Sequence, residues 1–198
     1  MGLWIDSNLT YDEHISKLSL SCLYKLSRIS RMKHLPYRKT LILVINAFVF
    51  TRLFYFSTVW SNPSKKNTRK LQLIQNFACR TILGIQKFEY FSKALKSLGW
   101  HNVCDKLFLN DLVMVHKCIN NLAPPYLSTL FNTRFSVSKR SNRNDSDLDL
   151  PECRLATGQH PFTFRGSKGF NTLPKDIKSI KDPKAFRCKV SAHLNTKD

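Results

Sequence analysis

Two histidines and two cysteines stand close enough in the sequence to suggest a metal: His101-x-x-Cys104 and His116-x-Cys118. Zinc takes imidazole and thiolate ligands in such spacings when a turn folds them together. The span 104–118 reads as helix, however, which turns His116 and Cys118 to different faces, so no metal site is expected. Asp145-x-Asp147-x-Asp149 opens like a calcium loop. It has Leu150 where the sharp turn needs Gly and Ala156 where a bidentate Glu belongs, and it reads instead as a solvated acidic patch. No Asp-Asp pair is present for two-metal phosphoryl transfer. Phosphate-binding Gly-rich loops, the Gly-x-Ser-x-Gly nucleophile and His-Glu-x-x-His are absent as well. The residues imply no catalytic centre, no cofactor and no small-molecule substrate.

The chemistry that is abundant is cationic. The chain of 198 residues carries 32 Lys and Arg against 13 Asp and Glu, a formal charge of +19. Such a field points to contact with polyanions, meaning nucleic acid or an acidic membrane face. The excess is denser in residues 1–100, with 16 basic and 4 acidic side chains, than in 101–198, with 16 and 9. Lys17, Ser21, Tyr24, Arg28 and Arg31 fall on one helical face, either an ordinary solvated surface or a phosphate-tracking stripe with an aromatic set into it. Lys65, Lys66, Arg69 and Lys70 form a second group, read as a loop and its edge. Arg69, Gln72, Asn76 and Arg80 recur at helical spacing; they suit either a phosphate grip or, slightly better, a hydrogen-bonded seam between helices.

Helices must position these groups. Thr10-x-x-Glu13 has the form of a capping box and predicts a helix from about residue 11 to 34, with Ile15, Leu18, Cys22, Leu26 and Ile29 inward. Pro36 suits the first turn of a second helix over 37–60. A third covers 68–83, with Leu71, Ile74, Ala78 and Ile82 inward and Gly84 ending it. A short helix follows Ser92 and stops at Gly99, and a long one covers 102–121. Tyr126–Phe131 reads as one more turn or two. The tail reads as an irregular Phe/Gly/Pro piece and a basic helix from Pro183 to His193. The expectation is a mainly α, irregular helical bundle with a short N-terminal strand remnant (GLWID) and a loop-rich C-terminal segment. It divides into a helical region 1–131, a polar linker or loop 132–160, and a C-terminal segment 161–198.

Leu41–Trp60 is long and apolar enough to raise the question of a membrane. Arg52 lies inside it, and a charge at a bilayer centre costs about 2.5–3.5 kcal/mol on insertion scales. Basic residues flank it on both sides, Arg38 and Lys39 before, Lys65 and Lys66 after. The amphipathic neighbours need an apolar partner, so a central core helix is expected, with a basic membrane-associated protein as the alternative. The N-terminus has an early Asp6 and no apolar run, and the six cysteines include no Cys-x-x-Cys. These features predict reduced thiols in a nuclear or cytoplasmic protein that is not secreted.

The same residues resemble one family in sequence. GLWIDSNLTYDEHISKL is similar to the segment that opens the thumb after the palm in reverse transcriptases of non-LTR, LINE-like retrotransposons of jockey type, through Gly2, Ile5, Asp6, Leu9, Thr10, His14 and Ile15. LQLIQNFACRTILG resembles a second hallmark, through Leu71, Gln72, Gln75, Asn76, Ala78, Arg80 and Ile82. LGWHNV at 98–103 and Pro125-Tyr126-Leu127 resemble a third and fourth. FRGSKGFNTLPKDI resembles the last, through Arg165, Gly166, Gly169, Asn171, Leu173, Pro174 and Ile177, with Phe170 where the family usually has Trp. The five occur in family order over essentially the whole chain. The resemblance implies the thumb and C-terminal region of such an enzyme, without its endonuclease or its palm with the catalytic aspartates. It implies sequence-independent binding of RNA or an RNA/DNA hybrid, no turnover, and the missing palm as a further partner. The residues expected to touch phosphates are Lys17, Arg28, Arg31, Lys65, Lys66, Arg69 and Lys70.

Overall fold

The computed structural model describes residues 2–32, 37–85, 91–134, 147–153 and 161–196. These residues are mainly helical, as expected, and contain no strand; an isolated antiparallel bridge joins Thr133 and Leu148. The N-terminal strand remnant is therefore not formed. Residues 2–6 have no strand to pair with, and a lone extended segment gains no ladder hydrogen bonds. Two compact units are present, Met1–Lys106 and Leu107–Asp198. The division falls inside a helix, because the second half of that helix carries the apolar face on which the C-terminal residues pack.

In the first unit, α1 (Asp12–Arg31) buries Ile15, Leu18, Cys22, Leu26 and Ile29, the stripe that its sequence spacing predicts. Its start differs from expectation. The capping box does not form; Tyr11 stands at the cap in a left-handed conformation, φ 57°. The Asp6 carboxylate instead accepts from the Thr10 N–H (2.9 Å), the Thr10 hydroxyl (2.6 Å) and the Tyr11 N–H (2.8 Å). Glu13, the would-be box partner, pairs with Lys17 at 2.7 Å.

The apolar segment is not one helix and not a central one. It comprises α2 (Arg38–Ile45), a π turn (Asn46–Phe50), α3 (Thr51–Leu53), a turn through Phe54–Phe56 and α4 (Ser57–Trp60). Pro36 lies outside the described residues. Leu41, Ile45, Val49, Leu53 and Trp60 are buried, whereas Leu43, Phe48 and Phe56 are 67%, 58% and 56% exposed. Only one face is covered. The buried residues recur every fourth position from 41 to 53, wider than an α-helix keeps on one side. The π turn supplies the extra residue. In an unbroken α-helix Arg52 would lie within about 20° of Leu41, in the buried stripe, and Leu53 about 120° away. The inserted residue reverses that assignment. Among the described residues no helix is long and apolar enough to cross a membrane.

Helix α5 (Lys65–Leu83) starts earlier than its apolar pattern predicts, because Ser64 caps it by accepting from the Asn67 N–H at 3.3 Å. Leu71, Ile74, Ala78 and Ile82 are buried, and Gly84 ends it at φ 69°, a conformation that favours glycine. α6 (Phe91–Ser97) packs on it, and Asn102 caps α7 (Val103–Ile119) by accepting from the Asp105 N–H at 2.8 Å.

The second unit gathers the rest of α7 with α8 (Pro125–Ser128), α9 (Phe162–Asn171), α10 (Lys175–Lys178) and α11 (Pro183–Asn195). Leu112, Val115, Phe170, Phe186 and Val190 are at its core. The piece expected to be irregular is the ten-residue helix α9, despite Gly166 and Gly169. A Cβ on Gly166 would sit 2.6 Å from Val115 Cγ2, and one on Gly169 2.6 Å from the Phe108 ring. The two glycines let α9 lie directly on α7, and the burial gained there outweighs their poor helix propensity.

Candidate nucleic-acid interface

Helices α1 and α5 lie side by side and parallel. The Asn67 amide donates to the Asp12 carboxylate, and Lys70 Nζ donates to Ser16 Oγ at 3.2 Å. Both contacts ascend the two helices together, so the two N-termini share one end. Neither Asp12 nor Ser16 stands out in the sequence as a partner for α5, because a single sequence holds no record of which helix lies opposite.

The seven expected contact residues separate on this frame. Lys65, Lys66 and Arg69 are exposed and make no ion pair with a described residue. They are not on a loop. They occupy the first turns of α5, whose own first turn holds no acidic residue; the carboxylate at that end is Asp12 of α1, engaged by Asn67. Lys70 is half-buried against Ser16 and serves the α1–α5 contact. Lys17 is exposed, paired with Glu13, and its ammonium lies 3.4 Å from the centroid of the Trp4 ring. Arg28 and Arg31 are exposed at the far end of α1, about 16–21 Å along the axis from Lys17. Arg28 lies 5.3 Å over Tyr24, so the expected aromatic is beside its guanidinium. One end of the parallel pair thus collects Lys17, Lys65, Lys66 and Arg69, and the other holds Arg28 and Arg31.

In the row Arg69, Gln72, Asn76, Arg80 the two amides form a seam, while Arg69 stays exposed outside it. Gln72 donates to Gln75 (2.9 Å) and Asn76 (3.0 Å) and accepts from the Val103 N–H (2.9 Å); Gln75 donates to the His101 carbonyl at 2.7 Å. Arg80 lies over Phe91. Those amides hold the start of α7 against α5.

The residues of the last hallmark have comparable duties. Arg165 pairs with Asp111 at 3.0 Å, both largely buried. The Asn171 side chain donates to the Leu148 carbonyl (2.9 Å) and accepts from the Leu148 N–H (2.8 Å), as a neighbouring strand would. Lys178 reaches Asp147 at 2.8 Å and the Asn171 carbonyl at 3.0 Å. Leu173 and Ile177 are buried.

The metal candidates are placed otherwise. Cys104 is exposed and the His101 carbonyl is engaged with Gln75. In the second unit His116 is 1% exposed, stacked on Phe186 at 4.1 Å, with Nε2 2.6 Å from the Ile180 carbonyl. Asp147 is taken by Lys178, and Asp145 lies outside the described residues. Among the described residues no three His, Cys, Asp or Glu side chains come together as metal ligands. None of the six cysteines forms a disulfide. Burial raises Cys79 and Cys118, and pushes Cys22 up to about 11.

No protein-family model, curated protein or solved structure matches this chain.

Proposed function

We propose that this chain is a nucleic-acid-binding region of a non-LTR retrotransposon reverse transcriptase, corresponding to the thumb and C-terminal part. It contacts the backbone of RNA or an RNA/DNA hybrid and has no turnover of its own. The observation that carries the binding is the N-terminal end of α5. Three exposed cations that pair with no described residue, Lys65, Lys66 and Arg69, gather at the positive end of the helix dipole, where Asp12 is the carboxylate in contact and is engaged by Asn67. Stability alone does not select that arrangement; a phosphate backbone, drawn to both the side chains and the helix end, does. The origin rests on the five sequence hallmarks. It is supported by the structural duties of their residues, since a motif that builds a helix–helix seam carries a fold rather than a reaction. Without a carboxylate pair, the chain extends no primer with or without Mg²⁺.

A salt titration on a hybrid duplex tests the binding. Each phosphate contact adds roughly 0.7–0.9 to the slope of log affinity against log salt. Replacing Lys65, Lys66 and Arg69 together with Ala should lower that slope by about 2 to 3 on this relation, equally for two unrelated sequences. The same variant should melt no lower than the parent, because it removes charge that opposes the dipole. An unchanged slope, or a strong preference between the two sequences, refutes the reading.

A further inference from the structure

A small open crevice of about 100 Å³ lies in the first unit, lined by Gly2, Trp4, His14, Lys17, Arg52 and Tyr55. None of these side chains is acidic, and Lys17 among them is shared with Glu13 at 2.7 Å. Arg52 is half-buried and makes no ion pair with a described residue. It reaches this position only because the π turn rotates it out of the core stripe, and the next turn holds Phe56 at φ 47°. π turns and strained backbone gather at functional sites. His14 is 6% exposed. Its Nδ1 accepts from the Trp4 N–H at 3.4 Å, which places the proton of the neutral ring on Nε2, and buried Nε2 has no partner among the described residues. A buried N–H without an acceptor carries a cost that an entering oxygen anion removes. One guanidinium with no ion pair to a described residue, one ammonium shared with Glu13 and one orphan donor, with room for about three water volumes of ~30 Å³, suit one phosphoryl group.

We propose that this crevice seats a single phosphate group through Arg52, Lys17 and His14. The choice of a nucleic-acid phosphate as its source rests on the function proposed above; free phosphate shares the chemistry. The seat differs from the exposed row on α5 in being concave, partly buried and sized for one group, so it distinguishes a phosphate held in place from one attracted along a face.

The test uses the full chain and inorganic phosphate, followed by the NMR signals of the Arg52 side-chain Nε–H and the His14 ring. Both should shift and saturate together. Arg52→Gln should weaken that affinity about tenfold, the loss of one charge-assisted hydrogen bond, with Arg52→Lys intermediate and Lys93→Gln, at an exposed site on α6, unchanged. Thermal melting of each variant checks folding, and the Lys93→Gln control carries the same charge loss elsewhere. A linear, non-saturating response, or equal weakening by Lys93→Gln, overturns the seat. A parallel titration with a 5′-phosphorylated and a 5′-hydroxyl hybrid separates the two readings. Saturation by inorganic phosphate with no duplex binding keeps the seat and refutes the nucleic-acid source. Duplex binding untouched by Arg52→Gln, with no phosphate saturation, refutes the seat alone.

Discussion

At the scale of residues, Asp6 and His14 shape the pH response in two separate ranges, both on the acid side of neutrality. The Asp6 carboxylate, held first by the Thr10 hydroxyl and then by backbone N–H groups, is lowered to about 2 from 3.8. The folded chain keeps that charge after the unfolded chain has taken a proton, so stability is present above 3.8 and is lost as pH falls toward 2. His14 is lowered from 6.5 by burial. Below 6.5 the unfolded chain binds a proton that the folded ring refuses, so stability also declines as pH drops from 6.5. Chemical denaturation across pH should show two descending limbs. Asp6→Asn should flatten the lower limb and leave the upper, and His14→Gln should do the reverse. A single limb that both variants move alike would sink the assignment. Neither role was legible in the sequence. Thr10 and Glu13 form a capping box on paper, but an acceptor four residues upstream competes for the same loop, and a string of letters does not rank the two.

At the scale of elements, inward stripes were the most legible feature and continuity the least. The stripes of α1 and α5 follow from spacing because each helix buries one face. The apolar run 41–60 gave no sign of which face would be covered or where it would break. Its register makes a sharp prediction. Deleting exposed Ala47 removes the extra residue of the π turn and leaves Leu53 eleven positions after Leu41, still in the buried stripe of a regular α-helix, with Arg52 still outside it. The deletion should therefore cost little in urea denaturation, about 1 kcal/mol or less, whereas Leu53→Ala, which empties that place in the stripe, should cost about 2–5 kcal/mol. A deletion as costly as Leu53→Ala would show that the π turn does more than set the register. Helix α9 supplies a second test. Gly166→Ala presses on the branched, fully buried Val115, and overpacking of that kind costs about 1–3 kcal/mol. Gly169→Ala meets the far edge of the half-buried Phe108 ring, which can rotate, so the gain of about 1 kcal/mol in helix propensity is largely kept. Thermal melting should rank Gly169→Ala above Gly166→Ala.

At the scale of the whole molecule, the net charge of +19 was readable at once, but its distribution was not. Helix periodicity places Lys17, Arg28 and Arg31 on one face, yet their separation and the arrival of α5 depend on which helices pair, and that is decided by contacts fifty residues apart. The change of core within α7 was also hidden, because no composition shift marks it there. The same exposed apolar side chains that made 41–60 look like a membrane segment now bear on behaviour in solution. Leu43→Ser with Phe48→Ser should leave the melting temperature within about a degree or two, since both side chains are exposed, and should raise the concentration at which the protein precipitates. A large drop in melting temperature would mean that this face is covered in solution.

The buried thiols give the molecule its own clock. Cys22 and Cys79 lie sealed in the first unit and Cys118 in the second, while Cys104 and Cys188 are open to solvent. An alkylating reagent should mark the open pair within its ordinary reaction time. It can reach the sealed three only when the surrounding core parts, because burial both hides the sulfur and holds its proton. Mass spectrometry of the labelled chain under mild urea would then time each opening separately. Equal rates at Cys22, Cys79 and Cys118 would mean that the two cores come apart as one event. A faster Cys118, or a faster Cys22 and Cys79, would mean that a continuous α7 does not bind their fates together.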